Sequence, residues 1–441
     1  MKIRIPANIG LTKVSAMQLF QLIRYSTLIL IGIVFSKSSL TTSDIGQYET
    51  VLFLAGAVSF FWLNGIIQGF LPNSNKYSGA QKSGDLFNVF YLLLGLSILS
   101  VLFLILFGHS LSEVLHKGAG VSVLNYLVFY VLFSAPSGLV EYIYLIKDKP
   151  KALGWYGLVS YALMFLLVVV PALNGLGLNY CLAGLVLSAA FRFAWLLVLL
   201  FRHSSPEFDP HFVLSHFKLA SPLVLAMFLS GSGQYIDGFI ITRYFDDATF
   251  AVFRFGAREF PLVLLLANAF NASMLAGFAD KSKLTGNLEA IRQNSQKLAA
   301  WLFPLSALLM AVSHWLFPVI FNSGFKESAI IFNIYLLLIV SRLLFPQTIL
   351  TGLGKNKAIL WASLFEIILN VALSLWFVQL WGLYGVAYGT VCAYIFEKLI
   401  LMFFVKKTCR LHVSDYLNVR QHLLYSVLLL AEFVVIEFLI W

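Results

Sequence analysis

The chain has 441 residues, of which 60% are hydrophobic and 11% charged, and its mean hydropathy is +0.87. A soluble domain carries roughly 25% charged residues, so a water-soluble enzyme or binding module of this length is excluded. The formal net charge of +10 raises nucleic acid as a partner, but the placement of the charges argues against it, as shown below. Cys181, Cys392 and Cys409 have no CxxC spacing, which argues against a disulfide framework or a zinc site.

Apolar runs of about 20 residues, each long enough to cross a hydrocarbon core of about 30 Å, recur from end to end. In chain order they predict spans at 16–35, 48–71, 86–107, 121–146, 152–172, 178–201, 217–241, 250–278, 298–321, 329–350, 358–380, 383–405 and 423–441. The expected fold class is therefore an all-α polytopic membrane protein with about 13 transmembrane helices. The loops left over are too short for a large extramembrane catalytic domain. The first span carries Gln18, Gln21 and Arg24 and lacks a small-residue cleavage site, so it reads as a retained helix. The last span carries Glu432 and Glu437, which leaves open whether it crosses fully.

Basic residues concentrate on one side of this layout. Lys2, Arg4, Lys13, Lys147, Lys149, Lys151, Arg202, Lys355, Lys357, Lys406 and Lys407 are among those facing one way, against Lys37, Lys117, Arg243 and Lys326 facing the other. The positive-inside rule puts the amino terminus in the cytoplasm, and an odd number of spans puts the carboxyl terminus outside. Topology thus accounts for the basic balance, and no nucleic-acid partner is expected.

The sequence repeats itself. The segment from Leu40 lies over that from Phe245 at a shift of 205 residues, pairing Tyr48 with Phe253. KPKALGWYGLVSYALMF, from Lys149, lies over KNKAILWASLFEIILNV, from Lys355, at a shift of 206. Two six-span halves are expected, residues 1–205 and 206–405, joined near 202–215, with residues 406–441 as an additional carboxyl-terminal helix. Halves with an even number of spans share one orientation, as in parallel-repeat transporters. Such halves favour a carrier working by alternating access over an enzyme.

An ionisable side chain in hydrocarbon costs roughly 2.5–3.5 kcal/mol, so it is usually paired or turned into a cavity. Arg24 sits roughly 12 Å into the first span at 1.5 Å per residue, with Gln21 on its side of the helix. Arg254 and Arg258 are spaced i, i+4 and are expected to point the same way from span eight, with Asn268 near that face. Their guanidiniums offer bidentate donors to phosphate oxygens. Arg342 lies too deep in span ten for easy snorkelling. Arg192 and Lys398 fall at equivalent positions nearer the cytoplasm, where anchoring at the inner leaflet is expected, and Glu141 and Glu397 are further intramembrane acids. Asp237 and Glu366 are acids of spans seven and eleven that could carry H⁺ or bind Na⁺, or act as counter-ions to the arginines. A path with more arginine than acid suits an anionic cargo.

No Walker A segment, HExxH motif or Ser/His/Asp set is present, so no cofactor is expected beyond a coupling ion. The SGSG stretch 230–233 reads as a packing or flexion point.

Several segments, taken in order, carry a resemblance: SDIGQYE after the first span, GIIQGFLP ending the second, an Asp before IITRYF in the seventh, KNKA after the tenth, and WGLYGVAYGTVCAYIFEKLIL in the twelfth. The chain resembles the polysaccharide transporters of the multidrug/oligosaccharidyl-lipid/polysaccharide exporter superfamily over almost its whole length. The resemblance implies a V-shaped pair of six-helix lobes around a cationic cavity, with arginines from spans one and eight inside it. It also implies a flippase carrying undecaprenyl-diphosphate-linked oligosaccharide, an O-antigen type of cargo, across a bacterial inner membrane. On this reading the site is Arg24, Arg254, Arg258, Arg342, Gln21 and Asn268, with Asp237 and Glu366 for ion coupling. The expected partners are the lipid-linked oligosaccharide and the bilayer, with a polysaccharide polymerase and glycosyltransferases as further candidates; the chain is expected to be monomeric. A cation-coupled drug exporter of the same fold, and a membrane polysaccharide polymerase or ligase, stay open as alternatives.

Overall fold

The structure is a computed structural model that describes residues 12–70, 84–115, 121–258 and 284–440, together with 270, 274 and 278. Among the described residues there is no strand, and twelve helical stretches are long and apolar enough to cross a membrane. They correspond to every predicted span except the eighth, which is described only in part. The chain divides into two compact units, Met1–Phe228 and Leu229–Trp441. That division lies further along than the 205/206 boundary read from the sequence, because the first half of span seven packs on span two.

The first unit holds α1 (Lys13–Lys37), α2 (Thr42–Phe70), α3 (Asp85–Leu115), α4 (Val121–Ser137), α5 (Leu139–Ile146), α6 (Pro150–Leu173) and α7 (Leu178–His203). It also takes most of α8 (Pro210–Gly231). Local chemistry sets these ends. Thr12 caps α1 by accepting from the Ser15 N–H at 3.1 Å. Thr41 and Asp44 cap α2 reciprocally, at 3.1 and 2.8 Å, which satisfies backbone donors that the helix itself leaves open. α4 carries Pro136 in its last turn and ends at Ser137, and span four continues beyond Gly138 as a separate short helix, α5. α8 crosses α2 where Gly65 and Gly69 leave room for Val224 and Ala220, and the His216 ring lies 3.1 Å from the Ile66 carbonyl.

The second unit holds α9 (Gly233–Tyr244), α10 (Asp247–Gly256), α11 (Leu284–Ile320), α12 (Lys326–Leu336), α13 (Ile339–Arg342) and α14 (Pro346–Gly352). It continues with α15 (Asn356–Trp381), α16 (Leu383–Cys409), α17 (Val413–Tyr416) and α18 (Val419–Val435). Two further predicted spans are broken. Span seven stops at Gly231 and resumes at Gly233, inside the SGSG stretch. Span ten is three short helices, interrupted before Pro346 at Phe345, whose φ is +55°. A proline cannot donate to the preceding turn and pushes the residue before it out of the α region.

Helix starts repeat with the period of the sequence. Thr42 and Asp247 are 205 residues apart, Pro150 and Asn356 206, and Leu178 and Leu383 205. The turns before α6 and α15 each place one residue at positive φ, Asp148 at +52° and Gly354 at +71°. The last helix, α18, ends in a π turn, Ile436–Ile440, that carries Glu437. Glu437 is buried, accepts from Asn333 at 2.5 Å and lies 3.0 Å from His314 Nε2. An acid in this apolar helix is therefore tied to α11 and α12.

The tightest crossings, α6 on α7 and α15 on α16, depend on glycine. A Cβ at Gly184 would overlap the Leu167 carbonyl, and one at Gly389 would come within 2.5 Å of Ser374 Oγ. Small residues let membrane helices approach this closely. Gly184→Val and Gly389→Val are each expected to destabilise by about 1–3 kcal/mol through overpacking. Gly286→Ala, where a Cβ meets nothing within 4 Å, should leave the thermal midpoint of the detergent-solubilised protein unchanged or raised.

Candidate functional site

In the first unit, aromatic packing fixes the rotation of α1. Phe20 stacks on Tyr156 at 5.9 Å and meets Tyr161 edge-on at 5.6 Å, over a gap left by Gly157. Arg24 follows one turn after Phe20, which puts its guanidinium within electrostatic reach of Tyr161, Glu141, Tyr25 and Tyr130. Arg24 is exposed and Gln21 half-buried. Glu141 stands in the first turn of α5, where the open N–H groups of a helix start favour a carboxylate. Arg192, from α7, is half-buried, lies 5.8 Å from the Tyr161 ring centre and is within electrostatic reach of the Tyr130 and Tyr156 hydroxyls. It is thus drawn into the helix bundle rather than anchored at a headgroup, contrary to the expectation from its position near the span's end.

In the second unit, Asp237 of α9 is buried and accepts from Tyr335 of α12 and, at 2.5 Å, from Thr390 of α16. Thr390 Oγ1 is also 3.3 Å from the Asn370 amide oxygen, which accepts from Ser374 at 3.0 Å. Asn370 Nδ2 reaches Glu366 Oε1 at 3.5 Å, one turn earlier on α15. A Cβ at Gly233 would stand 3.5 Å from both carboxylate oxygens of Glu366, so the break between α8 and α9 brings bare backbone against that acid. The two acids proposed from sequence thus lie on one buried chain, Asp237–Thr390–Asn370–Glu366. Its carboxylate, hydroxyl and amide oxygens are hard donors, suited to a proton or an alkali cation and not to a soft metal. Glu397 pairs with its neighbour Lys398 at 2.8 Å, both largely buried, so Lys398 too is held inside by an acid rather than anchored at a headgroup.

The remaining arginines are placed less simply than the sequence suggested. Arg254 lies in the last turn of α10, but that helix ends at Gly256 and its C-cap is Ala257. Arg258 therefore falls beyond the helix, and the i, i+4 relation expected for the pair does not hold. The helix stops where Gly256 is pressed against the Ser328 carbonyl and Ile331 of α12. Arg258 lies over the Phe255 ring at 4.5 Å. Arg342 ends α13 and lies 5.3 Å from the Tyr394 ring centre. Asp246 caps α10 by accepting from the Thr249 N–H at 2.9 Å, and Thr249 holds its carboxyl below the ordinary carboxylate range. Asn268 lies outside the described residues.

Sequence reading missed Tyr335, Thr390, Asn370 and Ser374. Asn370 could have been found as the residue one turn from Glu366, on the same face. The others come from helices far apart in the chain, and neutral polar residues in apolar spans carry no comparable signal.

The comparisons agree on the architecture. The lipid II flippase MurJ, in an inward closed conformation, superposes with a TM-score of 0.70 at 16% identity, covering 96% of this chain and 93% of that one. An inward-facing multidrug resistance MATE family transporter of the MOP superfamily gives 0.64 at 15% identity, covering 93% and 97%. A MOP superfamily transporter from Pyrococcus furiosus, whose binding pocket is described as reversed in polarity, gives 0.56 at 12% identity, covering 92% and 95%. At such identities the likeness establishes the shared exporter fold. No curated protein sequence matches the chain significantly. The family model for polysaccharide biosynthesis proteins matches residues 39–330. That match spans more than half of the chain, and the protein therefore belongs to the polysaccharide biosynthesis protein family.

Proposed function

We propose that this protein is a flippase moving undecaprenyl-diphosphate-linked oligosaccharide from the cytoplasmic to the periplasmic leaflet of a bacterial inner membrane, for cell-surface polysaccharide assembly. The observation that carries this reading is Arg24, an arginine well inside the first span of a chain with this family and fold. A fixed positive charge at that depth is costly unless it meets an anion. A diphosphate is the part of such a lipid that hydrocarbon rejects most strongly. Arg24, with Arg254, Arg258 and Arg342, would replace its water with charge-assisted hydrogen bonds, which guanidinium geometry makes bidentate. Gln21 and Asn268 would serve the sugar, while the polyprenyl tail stays in lipid.

On this reading the protein is a secondary transporter and not an enzyme, with two repeated lobes, residues 1–205 and 206–405, alternating access and a further helix in residues 406–441. Its amino terminus is cytoplasmic and its carboxyl terminus periplasmic. The Asp237–Glu366 chain would take up H⁺ or Na⁺, so that ion entry drives the return step. The protein would work as a monomer, handing its product to a polymerase and receiving its substrate from glycosyltransferases.

Two outcomes are expected in proteoliposomes carrying a short undecaprenyl-diphosphate oligosaccharide. Arg24→Ala should slow leaflet transfer at least about tenfold, since one charged hydrogen bond is worth about 1.5–3 kcal/mol; transfer at the wild-type rate would remove Arg24 from the site. The Arg254→Ala/Arg258→Ala double variant should likewise lose transfer while remaining folded. No transfer by the wild type, with ion-coupled efflux of a cationic dye instead, would establish the drug-exporter reading. Asp237→Asn and Glu366→Gln should abolish the acceleration produced by an imposed Na⁺ or H⁺ gradient while leaving lipid binding intact. Gradient dependence that survives both changes would remove these acids from coupling.

A further inference from the structure

Arg192 and Glu141 have no role in the site as read so far, yet both are carried into the first unit beside Arg24. Glu141 lies within electrostatic reach of Arg24 and of Arg192. Among the described residues, however, no ion pair joins Glu141 to either arginine. Arg192 lies 5.8 Å from the Tyr161 ring centre, while its Nε and one terminal nitrogen are buried without a hydrogen-bond partner among the described residues.

A purely structural triad would look different. Buried ion pairs hold together only with direct contact and satisfied donors, and buried polar groups in native folds are nearly always paired. Here two guanidiniums share one carboxylate without contact, leaving one positive charge in excess and two donors open. Arg24 is the exposed member, while Glu141 and Arg192 are half-buried. An arriving anion therefore meets Arg24 first, and the open donors of Arg192 are left for Glu141.

We propose that Arg24, Glu141 and Arg192 form an exchange seat for a diphosphate group, in which Glu141 is the removable counter-ion. When a phosphate oxygen engages Arg24, Glu141 turns to Arg192 and fills its two open donors. When the diphosphate leaves, Glu141 returns to a position shared by both arginines. The seat thereby stays close to neutral at every stage, which lowers the cost of releasing an anion from a cationic site. Glu141 and Arg192 are positioning residues in this scheme. The inference rests on the flippase reading and extends it.

The test is a binding cycle on the full chain in lipid nanodiscs, using an undecaprenyl-diphosphate oligosaccharide as the probe and inorganic pyrophosphate as competitor. Arg192→Gln leaves Glu141 to pair with Arg24 and should weaken binding by about tenfold, the scale of coupling within one charge network. Glu141→Gln removes the competitor and should tighten binding. The double variant Glu141→Gln/Arg192→Gln should bind like Glu141→Gln alone, because without Glu141 the loss of Arg192 releases no competitor; a merely structural role does not produce this masking. If Arg192→Gln does not fold, Arg192→Lys should show a smaller loss that Glu141→Gln again reverses. Effects of the two changes that simply add in the double variant, or no effect of the Arg192 changes, would overturn the seat. Pyrophosphate that displaces the lipid with the same variant pattern identifies the free diphosphate group as sufficient. The pattern for the lipid alone supports the seat with the polyprenyl anchor required. The variant pattern without lipid transfer by the wild type would leave the seat standing and defeat the flippase reading. Transfer by the wild type without the pattern would do the reverse.

Discussion

The cost of carrying charge into hydrocarbon governs this molecule. Each ionisable side chain in a span needs a partner, water or a ligand, and the helices are broken and rotated so that these side chains find one. Phe20 and Gly157 fix the rotation of α1 that brings Arg24 within electrostatic reach of Tyr161 and Glu141. The break at Gly231–Gly233 admits backbone next to Glu366. The π turn at the end of the last helix carries Glu437, which meets Asn333 and His314. The irregular points of an otherwise regular helical protein thus fall beside its charges.

The two units use the repeat for different chemistry. Helix starts recur at the 205- to 206-residue period, yet at the shift of 206 Ser160 stands where the second unit has Glu366, and Gln347 where the first has Glu141. Around Arg24 and Arg192 the first unit is cationic and tyrosine-rich. Around Asp237 the second is a chain of oxygen donors. Duplicated scaffolds that keep their packing glycines, Gly184 and Gly389, can diverge in this way because packing and polar chemistry occupy different helix faces.

Much of this was legible in the sequence. Hydropathy alone located the twelve spans found among the described residues, since each apolar run is long enough to cross hydrocarbon, and the repeat was visible in its offset. Depth along a span identified Arg24, Asp237 and Glu366 as costly and therefore informative. What failed was anything dependent on where a helix stops. The i, i+4 spacing of Arg254 and Arg258 assumed a continuous helix, but close packing of Gly256 against α12 ends it between them. Arg192 and Lys398 look like headgroup anchors by position, and only the three-dimensional packing shows tyrosines and acids holding them inside. Thr390 and Asn370 were invisible for a simpler reason: neutral polar residues cost little in a span, so nothing marks them before the helices are assembled.

Recognition of a lipid-linked sugar's diphosphate by intramembrane arginine, as proposed above, is decided by measuring retention of a matched lipid series on the purified protein by native mass spectrometry. The series comprises undecaprenol, undecaprenyl phosphate, undecaprenyl diphosphate and the diphosphate bearing an oligosaccharide, with a cationic amphiphile of equal chain length. Retention should rise with the number of phosphates, rise further with the sugar, and be lowest for the cation. Equal retention across the series, or preference for the cationic amphiphile, would contradict the account.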